Sequence, residues 1–151
     1  EFRACDVSYS SDEETVSFSL DLQQAYPADS GLSAWRRNVT LIRRTAVTVQ
    51  DTWSFESPPT NLQWHLITPS NVSQPEKGWI HLTSSSTVGD LVSAEGWINF
   101  DPEVVEVSQE TIEIEDERMS GFWGARLYRI NLTARSPKAE GSFDLRVTKH
   151  K

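Results

Sequence analysis

Aromatic side chains beside arginines are the residues of this sequence best suited to bind a ligand. Trp35 is followed by Arg36 and Arg37, and Phe122-Trp123 is followed after two residues by Arg126. An indole face stacks on a sugar ring, and a guanidinium makes a bidentate contact with a carboxylate or sulfate. Packing of the arginine stem along the aromatic surface is the simpler interpretation, and composition favours it.

The loop before Trp35 adds a further aromatic side chain to this group. A strand-like alternation of Phe18, Leu20 and Leu22 with polar residues stops at Tyr26-Pro27, because proline has no N–H with which to continue a strand ladder. We expect Asp21 to pair with Arg37 or Arg44 and so to fix the loop. The candidate substrate-binding residues are Tyr26, Trp35, Arg36 and Arg37.

Metal and nucleophile chemistry finds little support in the sequence. His65, His81 and His150 are the only histidines, whereas zinc sites take three or four ligands, often at short spacing. His65 and His81 fall within predicted strands, each on the face opposite a tryptophan. Cys5 has no histidine near it in sequence. We predict no metal site, no cofactor and no catalytic residue in this chain.

The acidic segment 106–117 could attract calcium, but it does not fit a calcium loop. Such loops place Asp or Asn at alternating positions around a Gly turn. Here Glu alternates with Ile from Thr111 to Glu115, which is typical of the solvated face of an exposed or edge strand. The sequence also contains no Gly-rich phosphate loop, no Ser-His-Asp order and no metalloprotease helix motif.

Composition excludes several classes of protein. The net charge is -8 with a pI near 4.8, so a nucleic-acid partner is not expected. One cysteine cannot form an internal disulfide, and no apolar run approaches the length of a membrane span. Six Trp, six Phe and three Tyr supply a core although only 37% of residues are hydrophobic. The chain begins without Met, from which we expect it to be part of a longer protein.

Period-two alternation of apolar and polar residues runs along most of the chain and predicts β-strands. Proline- and glycine-containing turns separate the alternating runs, and no window carries a helical apolar stripe. We therefore predict an all-β fold, an antiparallel two-sheet β-sandwich of about nine or ten strands, with residues 1–151 forming a single domain. The predicted strands are Thr15–Leu22, Arg37–Ile42, Ala46–Phe55, Asn61–Thr68, Gly78–Thr83, Asp90–Phe100, Thr111–Ile114, Gly124–Ala134 and Ser142–Lys149.

Two segments resemble the heparinase II/III-like polysaccharide lyases. The first, SLDLQQAYPADSGLSAWRRNVTLIRRTAVTVQDTWSF, is similar to a family pattern in which a D-L-x-x-A-Y strand end precedes an Arg-containing strand and a V-x-D-x-[FW] strand. The second, ETIEIEDERMSGFWGARLYRINLTA, is similar to closing strands with W-G before L-x-R-I-x-L. The resemblance extends from Val16 to Val147.

The resemblance implies that the chain is the C-terminal β-sandwich portion of such a lyase. These enzymes carry an α/α toroid before a large antiparallel sandwich and cleave uronate-containing polysaccharides by β-elimination. Their Tyr and His catalytic groups, and the zinc ligands where present, belong to motifs with no counterpart here. The implied partners are an acidic polysaccharide, bound through the full-length protein, and the toroid and catalytic sheet of the parent chain. The implied location is the periplasm or the exterior of a bacterium.

Three hypotheses about function remain open from the sequence. The first is a non-catalytic β-domain that supports or frames the substrate cleft of a parent lyase. The second is a free-standing carbohydrate-binding sandwich, for which an exposed row of tryptophans would be the evidence. The third is a structural cell-surface β-domain. An apolar patch left uncovered along one side would favour the first, because a domain separated from its partner exposes the former interface.

Overall fold

The computed structural model describes residues 2–83 and 95–151. Eleven strands and one α-helix lie in this described part: β1 (Cys5–Ser11), β2 (Thr15–Asp21), β3 (Leu32–Ile42), β4 (Ala46–Phe55), β5 (Gln63–Thr68), β6 (Asn71–Glu76), β7 (Trp79–Thr83), β8 (Gly96–Phe100), β9 (Val105–Glu113), α1 (Glu117–Trp123), β10 (Arg126–Ala134) and β11 (Glu140–Thr148). The chain forms two compact units. The first comprises Glu1–Asn61 and Ser136–Thr148, and the second Leu62–Arg135 and Lys149–Lys151.

The first unit contains five antiparallel strands in the order β1-β2-β3-β4-β11. Because side chains alternate across a strand, the register divides this sheet into two faces. One row of directly opposed residues is polar, and the row beside it is apolar. The polar row is Ser10, Ser17, Thr40, Thr48 and Arg146; the apolar row is Tyr9, Phe18, Val39, Val49 and Leu145.

The apolar face of this sheet is buried at one side and exposed at the other. Leu145 on β11 is 4% exposed, whereas Phe18 on β2 is 40% exposed and Tyr9 on β1 is 68% exposed. Leu41 on β3, which shares this face, is 39% exposed. The face that the sequence pattern marks as core is therefore covered over β4 and β11 but open towards β1.

The second unit contains two sets of three antiparallel strands, β8-β7-β6 and β5-β10-β9. Aliphatic side chains from both sets are almost completely buried. Ile80 on β7, Ile130 and Leu132 on β10, and Val105 on β9 are each 0% exposed. Burial of each such side chain contributes about 1.5–3 kcal/mol of hydrophobic stabilisation.

The predicted all-β, antiparallel, two-sheet class is confirmed. The predicted strand Ala46–Phe55 agrees with β4 at both ends. Within the described part, two strands, β1 and β6, were not predicted, and the helix α1 was not predicted either. Of the predicted strand Asp90–Phe100, the portion from Gly96 is β8, and residues 90–94 lie outside the described residues.

Pro75 explains why β6 was not predicted. The sequence pattern assigned the residues around it to turns, because proline cannot donate to a ladder. Among the described strands β6 pairs with β7 alone, and its register shifts between Ser73 and Glu76. An edge strand with a bulge tolerates proline where a central strand does not.

Candidate functional site

Strand geometry separates the four predicted substrate-binding residues. Trp35 and Arg37 lie two positions apart on β3 and occupy its apolar face, opposite Trp53 and Asp51 of β4. Arg36 lies on the polar face, where its Nε donates to Ser19 Oγ at 3.0 Å. Tyr26, in the loop before β3, joins Trp35 and Arg37. The site is thus the Tyr26 cluster, defined as Tyr26, Trp35, Arg37 and Asp51.

A bidentate ion pair anchors the Tyr26 cluster. Arg37 Nε donates to Asp51 Oδ1 at 2.7 Å, and Arg37 Nη2 donates to Asp51 Oδ2 at 2.6 Å. The Asp51 side chain is 0% exposed, whereas that of Arg37 is 33% exposed. Such a fork-to-fork pair fixes the guanidinium in position and leaves its other N–H groups directed away from the carboxylate.

The hydrogen bonds that Arg37 donates to Asp51 raise the pKa of the Arg37 guanidinium above its ordinary value, although burial works in the opposite direction. The charges of Asp51 and Tyr26 add to the increase. A raised pKa stabilises the fold at every pH below the ordinary value, and the contribution is lost only as the pH rises through the higher folded value. Arg37 is therefore cationic throughout the range in which proteins are studied.

The predicted pairing of Asp21 with Arg37 is wrong. In the register of β2 and β3, Asp21 stands opposite Arg36, so its side chain lies on the other face of the sheet from Arg37. Asp21 Oδ1 instead accepts the backbone N–H of Gln23 at 2.7 Å, where a 3₁₀ turn begins. Within the described part, Asp21 forms no ion pair with Arg44 either.

Tyr26 covers the outer side of Trp35. The two rings stack with centroids 5.7 Å apart and planes inclined by 12°. Trp35 is 4% exposed and also contacts Trp53, with centroids 6.1 Å apart, so its ring belongs to the core. Tyr26 is 43% exposed. The surface that a ligand could reach here is therefore the Tyr26 ring and the Arg37 edge, not the Trp35 indole.

The electrostatics of the Tyr26 cluster limit what it can bind. Asp51 balances the charge of Arg37, so the pair presents hydrogen-bond donors without a net positive charge. Beside them, the Tyr26 ring offers an apolar face and a phenol group. This combination suits one sugar unit that carries an acceptor oxygen, held by stacking and by N–H donation.

Neither strand histidine joins a metal site within the described part of the chain, where no group of three or more His, Cys, Asp or Glu side chains comes together. His65 Nδ1 contacts Asn131 Oδ1 at 2.7 Å. His81 stacks on Trp97, with centroids 3.9 Å apart, and its Nε2 lies 2.5 Å from Glu95 Oε1. The prediction that His81 faces away from tryptophan is wrong, because Trp97 is its register partner on β8.

The tryptophans do not form an exposed row in the described residues. Trp35, Trp53 and Trp64 are buried. Trp79 and Trp97 are half-buried and contact each other, with centroids 6.2 Å apart. Only Trp123, on α1, exposes as much as half of its surface. The evidence expected for a free-standing carbohydrate-binding platform is therefore missing from this part of the chain.

Asp51 is the member of the Tyr26 cluster that sequence reasoning missed. Its signal was its position in the alternation Val47, Val49, Asp51, Trp53, where a carboxylate occupies a core position of a strand. A charged side chain at such a position requires a partner of opposite charge, because burial of an unpaired charge is costly.

Comparison with known proteins gives matches only among solved structures. No protein-family model matches the chain, and no curated protein gives a significant match. The heparan sulfate lyase HepC from Pedobacter heparinus matches with a TM-score of 0.68 over 97% of this chain at 16% identity. Heparinase III, the BT4657 gene product, matches with a TM-score of 0.60 over 93% of this chain at 14% identity.

These matches show that the chain shares the fold of part of the heparinase structures. The chain spans about a fifth of their length, 21% of HepC and 20% of heparinase III. The likeness to heparinase II/III-like lyases predicted from the sequence is thus confirmed at the level of the fold. Among the described residues, no helix is long and apolar enough to cross a membrane.

Proposed function

We propose that this chain is the non-catalytic β-domain of a heparinase II/III-like lyase that cleaves uronate-containing polysaccharides by β-elimination. The observation that carries the proposal is the extent of the match, nearly the whole of this chain against one fifth of a heparan sulfate lyase. In this proposal the rest of the parent lyase supplies the catalytic groups, and this chain supports or frames the substrate cleft. The parent enzyme acts in the periplasm or outside the cell.

The open part of the apolar face supports the proposal of a larger parent. Tyr9, Phe18 and Leu41 lie on the same side of the sheet as Leu145, which is buried. Exposed apolar patches that continue a buried core are typical of surfaces that another element covers. We propose that the toroid and catalytic sheet of the parent lyase supply that element.

The Tyr26 cluster lies on this same face and gives the proposal its substrate contact. Tyr26 would stack on a sugar unit, and the Arg37 N–H groups would donate to its carboxylate or sulfate. Trp35 would support Tyr26 from beneath. Arg36, on the polar face, would have no direct part in substrate binding.

Kinetics of the full-length lyase test this role. Tyr26→Ala is expected to raise KM about tenfold and to leave kcat unchanged. The reason is that Tyr26 would stabilise the substrate complex and the transition state equally, by ~1.4 kcal/mol. Arg36→Ala is the matched control, since it removes a neighbouring cationic side chain from the other face, and its KM should change less than about twofold. An unchanged KM for Tyr26→Ala, in a variant that folds normally, would refute the substrate contact.

Thermal unfolding of the same variants in this chain separates binding from folding. Because Tyr26 is 43% exposed, Tyr26→Ala should cost about 1–2 kcal/mol, less than the ~3–5 kcal/mol typical of a fully buried aromatic side chain.

A further inference from the structure

The helix α1 presents apolar side chains to solvent along one side. Met119, Phe122 and Trp123 are spaced i, i+3 and i+4, which places them next to one another on a helix. They are 51%, 71% and 50% exposed, and no residue of α1 is buried. Contiguous exposed apolar side chains of this kind are typical of interaction surfaces.

The helix that carries these side chains is capped at both ends. Asp116 is the N-cap, and its Oδ1 accepts the backbone N–H groups of Arg118 at 2.9 Å and Met119 at 3.1 Å. Gly124 ends the helix with φ 84°, and its N–H donates to Ser120 O at 2.9 Å. These caps fix the helix backbone that carries the rings, so less backbone entropy is lost on binding than from an unstructured segment.

Half of the Trp123 surface is open to solvent. Among residues 2–83 and 95–151, neither Phe122 nor Trp123 takes part in ring stacking, a cation–π contact or a side-chain hydrogen bond. Trp79 and Trp97 differ in this respect, because Lys151 Nζ lies 5.6 Å and 5.8 Å from their ring centroids and His81 covers Trp97. Trp123 is therefore the tryptophan in the described structure best able to receive a ligand.

The charges around α1 select the class of ligand. Four carboxylates and two guanidinium groups lie on or beside the helix: Glu113, Glu115, Asp116, Glu117, Arg118 and Arg126. The local excess of negative charge repels a sulfate or uronate within about 10 Å at ordinary salt. The same groups can exchange hydrogen bonds with the hydroxyls of an uncharged sugar, whose C–H groups pack on the negative face of an aromatic ring.

We propose that Trp123 and Phe122 form a binding site for uncharged pyranose units, separate from the Tyr26 cluster. The site goes beyond the proposed lyase function, since its ligand is a neutral glycan rather than an acidic substrate. It gives the chain a means of holding neutral polysaccharide that accompanies an acidic one.

Calorimetric titration of this protein tests the site with cellohexaose, xylohexaose, mannohexaose and a heparan sulfate hexasaccharide. At least one neutral hexasaccharide should bind, and more tightly than the sulfated one. Trp123→Ala should weaken that binding at least tenfold, and Phe122→Ala should weaken it less. Phe2→Ala is the control, because Phe2 is 70% exposed yet lies away from α1 in sequence, and it should leave binding unchanged.

Two outcomes would overturn the proposal. The first is that no neutral hexasaccharide binds, or that the Trp123→Ala variant binds it as tightly as the unsubstituted protein does. The second is that sedimentation shows a dimer which Trp123→Ala disrupts, while no sugar binds; α1 would then be a self-association surface. Neither outcome affects the KM predicted for the Tyr26→Ala variant of the full-length lyase. The neutral-glycan site and the proposed lyase function are therefore tested independently.

Discussion

Replacement of Asp51 by alanine is expected to destabilise the protein by about 3 kcal/mol, through loss of one partner of a buried ion pair. The carboxylate is 0% exposed and holds Arg37 through two hydrogen bonds of 2.6 and 2.7 Å. Its removal leaves a guanidinium without its anion beside Trp35. The lower end of the usual 3–5 kcal/mol range applies because the Arg37 side chain still reaches solvent. Chemical denaturation, read as the free energy of unfolding, measures the loss.

A double replacement distinguishes the ion pair from simple packing. Arg37→Met with Asp51→Leu removes both charges and fills similar volume, so it should recover most of the stability that Asp51→Ala loses. A free energy of unfolding for Asp51→Ala within about 0.5 kcal/mol of the parent would show that the pair contributes nothing to the fold.

Gly141→Ala is expected to cost about 2–3 kcal/mol, the upper part of the range for overpacking. Gly141 stands opposite Trp53 in the register of β11 and β4. A Cβ at Gly141 would lie 2.5 Å from Trp53 Cζ2 and 3.0 Å from Cε2. Trp53 is 8% exposed, and its indole N–H donates to Lys138 O at 3.1 Å, so the ring cannot move aside without loss of this bond. Thermal unfolding should show a clear decrease in Tm.

Gly121→Ala provides the matched control. Gly121 lies within α1, and a Cβ there meets nothing within 4 Å. Alanine is a better helix former than glycine, so this variant should be as stable as the parent or up to ~1 kcal/mol more stable. If the Gly141→Ala variant unfolds at or above the Tm of the unsubstituted protein, the close approach of Trp53 to β11 is not a packing constraint.

Most of the fold follows from the period-two alternation of apolar and polar residues, and the exceptions have identifiable causes. The ten residues of β4 alternate except at Asp51, and the strand was predicted correctly at both ends. β3 starts at Leu32, five residues before the predicted Arg37, because Gly31 with φ 69° allows the strand to begin directly after a turn. The seven-residue α1 is too short for a helical stripe, and its apolar side chains face solvent, so periodicity could not reveal it.

The candidate site was only partly predictable for a different reason. Strand alternation alone places Trp35 and Arg37 on one face and Arg36 on the other, and the sequence reasoning grouped all three. The partner of Arg37 follows from the turn at residues 43–45, since that turn sets the β3–β4 register that pairs residue 37 with residue 51. The stacking of Tyr26 on Trp35 depends on two consecutive 3₁₀ turns, which no repeating pattern specifies.

The measurement that tests the central claim most directly is the ultraviolet absorbance of unsaturated uronate products. The full-length gene product and this chain alone are incubated with heparan sulfate, alginate and other uronate polysaccharides. The account predicts that absorbance rises with the full-length protein on at least one of these polysaccharides and stays at the blank with this chain, because the proposal assigns the acid and base of β-elimination to the rest of the parent lyase. Product formation by this chain alone, or an inactive full-length protein on every uronate, would contradict the account.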